Sequence, residues 1–157
     1  MPNPITGVLE QETIKLFTIG FVQKTAREFF EILTEANIKR VIDIRLNNQS
    51  QLAGFTKRND LEFFLEKIAG ISYTHNLNLA PTKQILDTYK KNGHNWALYE
   101  REFLQLMSDR KIETLITPDE LKDSCLLCSE VAPTNCHRRL VAEYLYKKMP
   151  NLNIQHL

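Results

Sequence analysis

Residues 124–128, with the sequence Ser-Cys-Leu-Leu-Cys, form a short apolar run that predicts a buried β-strand. Thr134 or Asn135 follows as the expected N-cap of a helix that runs to Lys148. Pro150 stops this helix, and residues 153–156 form a short closing strand. This part of the sequence therefore predicts a strand–helix–strand unit.

The same alternation of strands and helices extends towards the N-terminus. Thr25 and Glu28 have the spacing of a capping box at the start of a helix. Gly70 is placed to end a second helix. Predicted strands cover 15–19, 40–44 and 71–75, and predicted helices cover 25–36, 59–69 and 96–107.

This pattern predicts one α/β domain over residues 1–157, after an irregular lead-in at 1–13. We expect three layers, with a mostly parallel sheet of about five strands and helices on both faces. The segment 76–94 is predicted to be a long loop with one short helix, and 108–123 carries no clear period.

Composition excludes several classes of protein. The chain has 157 residues, 43% of them hydrophobic, which excludes a disordered chain, and a net charge of +1, which excludes strong overall attraction to nucleic acid or membranes. No signal sequence or membrane-length apolar run is present, so we expect a cytoplasmic protein. Its odd, crowded set of three cysteines is typical of reduced thiols.

Polar groups follow the predicted strands at the edge of the sheet where parallel α/β proteins bind ligands. This rule selects nine candidate site residues. The candidate catalytic residues are Cys136, His137, Asp43, Glu130 and Cys128, and the candidate substrate-binding residues are Arg45, Arg138, Gly20 and Thr18.

Cys136, His137 and Arg138 lie where the last helix is expected to begin. Unpaired N–H groups at a helix start attract anions and favour the thiolate form of a cysteine. The motif therefore indicates a reactive thiol or an anion site. The alternative is structural, with Cys136 in the core and Arg138 paired with surface carboxylates.

Asp43 and Arg45 also permit two interpretations. They could form an acid or base beside an anion-binding guanidinium, or a structural ion pair. Glu130 has the same two alternatives. His75, at the end of the third strand, is predicted to be a hydrogen-bonded residue at the rim.

The spacing of Cys125 and Cys128 raises the question of a metal site. In a strand, residues three apart point to opposite faces, so Cys125 is predicted to lie in the core and no metal ligand is assigned. A site of Cys128, Cys136 and His137, with Asp43 added, stays open as an alternative. Against it, adjacent residues at a helix start rarely both reach one ion.

Three segments resemble the domain-of-unknown-function family 488 of bacteria and archaea. They are Thr18-Ile19-Gly20, residues 41–47 with 54–57, and residues 126–130 with Pro133 and Cys136-His137-Arg138. The resemblance implies an α/β fold with the site at these motif positions. Phe21 is a departure, since many members have histidine there.

Two functions follow as hypotheses. The first is an enzyme that acts on a small anionic or nucleotide-like substrate at this rim. The second is a non-catalytic module that binds a nucleotide, a nucleic acid or a protein partner there. No cofactor, membrane partner or oligomeric state is assigned.

Overall fold

A computed structural model of the protein describes residues 11–49 and 54–157. Its centre is a five-stranded sheet in the order β3-β2-β4-β1-β5, in which neighbouring strands are all parallel. The strands are β1 (Ile14–Gly20), β2 (Arg40–Asp43), β3 (Ser72–His75), β4 (Ser124–Cys128) and β5 (Leu152–His156).

Helices connect the strands and cover both faces of the sheet. They are α1 (Ala26–Glu35), α2 (Arg58–Phe63), α3 (Lys83–Lys91), α4 (Trp96–Arg110), α5 (Pro118–Leu121) and α6 (His137–Lys148). A π-helical segment, Phe64–Ala69, continues α2, and single 3-10 turns lie at Gly54–Thr56, Leu77–Leu79 and Ile112–Thr114. The predicted α/β fold class is confirmed.

Alternating side chains along each strand build two separate cores. Leu16 and Leu126 pack in one core with residues of α4 and α6. Phe17 and Leu127 pack in the other with residues of α1 and α2. Cys128 belongs to the first core and Cys125 to the second, so the two thiols diverge as the strand period predicts.

Local signals place most helix ends. Thr25 and Glu28 form the predicted capping box of α1, with the Thr25 backbone N–H donating to the Glu28 carboxylate at 2.7 Å. Gly70 adopts the left-handed conformation, with φ of 68°, after the π-helical segment.

The start of α6 differs from the prediction. Its N-cap is Cys136 rather than Thr134 or Asn135, and the Cys136 side chain makes no capping hydrogen bond. The thiol is directed into the molecule, where it is 2% exposed. His137 therefore becomes the first helical residue.

Two segments hold more helix than predicted. Residues 76–94 contain the nine-residue helix α3, whose N-cap Thr82 accepts a hydrogen bond from the Ile85 N–H. Within 108–123, Thr117 and Glu120 form a second capping box, at α5. Of the predicted lead-in, residues 1–10 lie outside the described part, and 11–13 have no regular structure. None of the described helices is long and apolar enough to cross a membrane.

Candidate functional site

A cavity of about 250 Å³ opens beside the carboxyl ends of β2 and β4. The loop after β2 and the start of α6 form one part of its wall, and α3 and α4 contribute aromatic side chains. Its lining residues are Arg45, Leu46, Asn47, Pro81, Leu86, Tyr89, Trp96, Tyr99, Cys128, Ser129, Glu130, Asn135, Cys136 and His137.

A thiol–imidazole pair lies in the wall of this cavity. The Sγ atom of Cys128 is 3.3 Å from Nδ1 of His137, and Nε2 of the same ring is 2.8 Å from the carbonyl oxygen of Ile44. Because a carbonyl oxygen only accepts, Nε2 carries a hydrogen and donates it to Ile44. The ring is therefore held with Nδ1 directed at the sulfur atom.

Cys136 completes a cluster with this pair. The two Sγ atoms and a ring nitrogen of His137 all lie within 4.8 Å of one another, and all three residues are buried. Cys128, Cys136 and His137 together form the Cys–Cys–His cluster. Two residues adjacent in sequence reach one point because Cys136 is extended, with φ of −137°, and the chain turns into the helix at His137.

The surroundings distinguish the two thiols of the cluster. A hydrogen bond from the Cys136 thiol lowers the pKa of Cys128, and the N–H groups of Ser129 and Glu130 and the charge of Arg138 act in the same direction against burial. The same bond to Cys128, together with burial, raises the pKa of Cys136. Burial lowers the pKa of His137, which favours the neutral ring. Cys128 is therefore the thiol that ionises first.

Arg138 does not line the cavity but contacts the loop that follows β4. Its side chain is fully buried and donates to the carbonyl oxygens of Glu130 at 3.0 Å and Val131 at 3.2 Å. Gly20 lies against the same loop, since a Cβ atom at this position would collide with the Glu130 carbonyl oxygen. These two residues fix the loop whose N–H groups face Cys128.

Asp43 and Arg45 form a buried ion pair. The Asp43 carboxylate accepts from Nε and Nη2 of Arg45 at 2.9 and 2.8 Å, and from the Tyr73 hydroxyl at 2.7 Å. Burial by itself would raise the pKa of Asp43, but the bonds and charge of Arg45, with the Tyr73 bond, lower it overall. Burial beside this carboxylate raises the pKa of Tyr73.

This geometry matches the ion-pair alternative for Asp43 and Arg45. Asp43 lies outside the cavity lining, whereas Arg45 reaches the wall while its guanidinium stays bound to Asp43 and to the Thr56 carbonyl oxygen. His75 accordingly bonds the Arg45 carbonyl oxygen at 2.8 Å, as expected of a rim residue.

The structure thus brings together five of the nine candidate residues. The cavity is lined by Cys128, Cys136, His137, Glu130 and Arg45. Thr18 is directed elsewhere, because its hydroxyl bonds Nδ1 of His156 at 2.6 Å. Asp43, Arg138 and Gly20 do not line the cavity; Asp43 and Arg138 are buried, and Gly20 lies against the Glu130 carbonyl oxygen.

Sequence reasoning missed the opposite wall of the cavity. Tyr89, Trp96 and Tyr99 supply its aromatic side, and the rings of Trp96 and Tyr99 stack with centroids 4.9 Å apart. Asn47 and Asn135 are further polar lining residues. Asn135 directly precedes Cys136 in the sequence, and this position beside a candidate site residue was the signal that could have identified it.

The fold and site define a parallel α/β protein with a buried cysteine–histidine cluster at the sheet edge. The sequence profile of the family described as Domain of unknown function DUF488 matches residues 25–145. The chain belongs to this family, and the resemblance drawn from its motifs is confirmed.

A curated relative is named Transcription antitermination protein NusB, from Fusobacterium nucleatum subsp. nucleatum. It is 39% identical over 90 residues, which cover 52% of this chain and 54% of that protein. The chain therefore spans about half the length of this relative. No solved structure matches the chain.

Proposed function

We propose that this protein is an enzyme that acts on a small anionic substrate in the cavity at the sheet edge. Cys128 supplies a sulfur nucleophile and His137 exchanges its proton. The observation that carries the proposal is the 3.3 Å contact between Sγ and Nδ1, with the ring fixed by the Ile44 carbonyl oxygen. A nucleophile, a base and a group that orients the base are thus in contact with one another in sequence.

The charges around the cavity support an anionic substrate. Within the described residues, Arg138 has no carboxylate in ion-pair contact and donates only to carbonyl oxygens, and its buried positive charge lowers the pKa of Cys128. The neighbouring N–H groups of Ser129 and Glu130 face the same sulfur. Asn47 and Asn135 offer neutral amide donors at the cavity wall. Together these groups favour negative charge at and near Cys128.

The proposed step transfers one proton by way of His137 and exchanges the bond to the leaving group for a bond to sulfur. The thiol proton of Cys128 passes to Nδ1 of His137, and the sulfur attacks an electrophilic carbon or phosphorus atom of the substrate. The leaving group departs with the electron pair of its bond and takes the proton from His137. Water then releases the group held on the sulfur and restores the Cys128 thiol. Glu130, which lines the cavity, is placed to exchange protons with bound water or substrate.

Site-resolved alkylation tests the nucleophile. In protein treated with a chelator, we expect iodoacetamide to modify Cys128 at least about tenfold faster than Cys125 or Cys136. His137→Gln keeps an N–H for Ile44 but removes the base, so alkylation should slow. Equal rates at all three cysteines would reject the proposal, and Cys125→Ala is the matched control because Cys125 lies in the other core.

Ligand protection tests the substrate class. Phosphate, sulfate, small carboxylates and mononucleotides are added in turn while the melting temperature and the alkylation of Cys128 are measured. A ligand of the native state raises the apparent stability. We expect at least one of these anions to raise the melting temperature and slow alkylation together. No response to any of them would argue against an anionic substrate.

A second candidate function is nucleic-acid binding at the same rim, and the relative named for transcription antitermination favours it. A binding module needs no nucleophile, so Cys128→Ser should retain affinity for a labelled single-stranded RNA or DNA oligonucleotide. Fluorescence anisotropy at two salt concentrations measures this affinity. Absence of binding at low salt would remove this candidate.

A further inference from the structure

We propose that the Cys–Cys–His cluster binds one Zn²⁺ ion. Its three donor atoms lie within 4.8 Å of one another, although they come from two different elements, the end of β4 and the start of α6. Thiolate sulfur and imidazole nitrogen are the ligands that zinc takes most often in proteins.

The distances suit a tetrahedral ion. Zn–S bonds of about 2.3 Å and Zn–N bonds of about 2.0 Å place the donor atoms roughly 3.5–3.8 Å apart. The Cys128 Sγ and the His137 Nδ1 are 3.3 Å apart and all three donor atoms lie within 4.8 Å of one another, so shifts of about 1 Å or less bring them to these distances.

The imidazole ring is already oriented as a ligand. Nε2 donates to the carbonyl oxygen of Ile44, so the Nδ1 lone pair is directed at the sulfur atoms. Metal-bound histidines have the same arrangement, with the second ring nitrogen bonded to a carbonyl or carboxylate. The sequence argued against such a site because adjacent residues at a helix start rarely both reach one ion, but this backbone brings donor atoms of Cys136 and His137 within 4.8 Å of each other.

The position of Cys136 favours a metal over a thiol–imidazole pair alone. A nucleophile and its base need only Cys128 and His137, yet a second buried thiol meets them at the same point. A metal ion uses all three groups and displaces both thiol protons. Its fourth ligand comes from the cavity, which all three residues line.

This inference rests on the proposed function only in that both use the same cavity and the residues Cys128 and His137. A zinc-bound Cys128 is a ligand and is not free to attack a substrate. Zinc is therefore expected to suppress the alkylation of Cys128, so the metal-free and metal-loaded proteins differ in a measurable way.

Metal titration of the full chain tests the site. Metal-free protein is titrated with Zn²⁺ against a colorimetric chelator, and with Co²⁺ while the thiolate-to-cobalt charge-transfer band is recorded. We expect one ion per chain and a band intensity typical of two thiolate ligands. The band reports ligands in the wild-type protein, so the test does not depend on any variant folding.

Single substitutions then assign the ligands. Cys128→Ser, Cys136→Ser and His137→Ala should each weaken zinc binding by more than about 100-fold, since loss of even an outer partner costs roughly 10–100-fold. Cys125→Ser is the matched control, because this third thiol is buried in the other core and should leave affinity unchanged.

Three results would overturn the zinc site. They are no bound ion in the wild-type protein, a cobalt complex without the thiolate band, and full affinity in Cys136→Ser. The proposed function is judged separately, by alkylation and anion protection in chelator. Fast alkylation of Cys128 with no effect of zinc would reject only the metal site, and slow alkylation with tight zinc binding would reject only the nucleophile.

Discussion

Two buried polar clusters lie at the carboxyl ends of the neighbouring strands β2 and β4, and they differ in the hydrogen-bond partners of their polar atoms. Asp43 is bound by Arg45 and Tyr73, and Arg45 also donates to a backbone carbonyl oxygen. In the Cys–Cys–His cluster, the donor atoms face one another and a cavity.

The difference shows that a polar residue at the carboxyl edge of the sheet does not necessarily belong to a functional site. The Asp43 carboxylate receives four hydrogen bonds from Arg45 and Tyr73, which leaves it little capacity for a ligand. Cys128 and His137 are also buried, but they line a cavity that is open to small molecules. We therefore expect the first cluster to control stability and the second to control reactivity.

Asp43→Ala should have the largest effect on stability. It leaves the guanidinium of Arg45 buried without its partner, and breaking a buried pair costs about 3–5 kcal/mol. Urea denaturation measures the free energy of unfolding. Asp87→Ala, which breaks the exposed pair with Lys83, is the control and should change little. A similar small effect at Asp43 would contradict the structural role.

Gly20→Ala should reduce both the stability of the fold and the reactivity of Cys128. The added methyl group collides with the Glu130 carbonyl oxygen, so the loop that faces Cys128 must shift. We expect a loss of about 1–3 kcal/mol, as for an overpacked site, together with slower alkylation of Cys128. Gly54→Ala is the control, since a Cβ there meets no atom within 4 Å. Unchanged alkylation would show that the loop position does not matter.

Acidification should weaken the Asp43 cluster, and comparison with Asp43→Asn isolates this contribution from those of other carboxylates. The pKa of Asp43 is lower in the folded chain than in the unfolded chain, so the stabilisation is complete above the unfolded pKa. It is lost as the pH falls through the folded pKa. The difference in unfolding free energy between the wild-type protein and Asp43→Asn should therefore begin to shrink below about pH 4 and be lost only below the folded pKa. A constant difference down to low pH would contradict this linkage.

Cys128→Ala should have the smallest effect on stability and the largest on reactivity. The thiol lies at a cavity wall, so its removal opens little new volume, and we expect a loss of about 1 kcal/mol or less. Zinc binding and site-specific alkylation should disappear. A loss comparable to that of Asp43→Ala would place Cys128 among the structural residues.

The sequence predicts the frame of this molecule well because its local signals agree. Strand alternation separates Cys125 from Cys128, and the Thr25 capping box starts α1 where expected. The roles of Asp43 and Arg138 were not predictable, because the sequence positions of these residues are the same whether they bind a ligand or make structural contacts. Only the folded chain shows that Arg45 lies within reach of Asp43, and that Arg138 faces carbonyl oxygens rather than the cavity.

The aromatic wall of the cavity has a different origin. Tyr89 lies in a segment that lacks a strong pattern, and it meets Trp96 and Tyr99 only because α3 packs on α4. Such contacts depend on how helices that are formed by different parts of the chain pack against each other. They leave no local trace in the sequence.

The start of α6 has a consequence for protein engineering. Cys136 occupies an N-cap position, where Ser, Thr, Asp or Asn would accept a hydrogen bond from the first turn, and its thiol makes no such bond. Cys136→Ser should therefore stabilise the helix by about 0.5–1 kcal/mol while it removes a member of the cluster. One substitution is thus expected to give a more stable protein that no longer binds zinc, as is common where function and stability compete for the same residue.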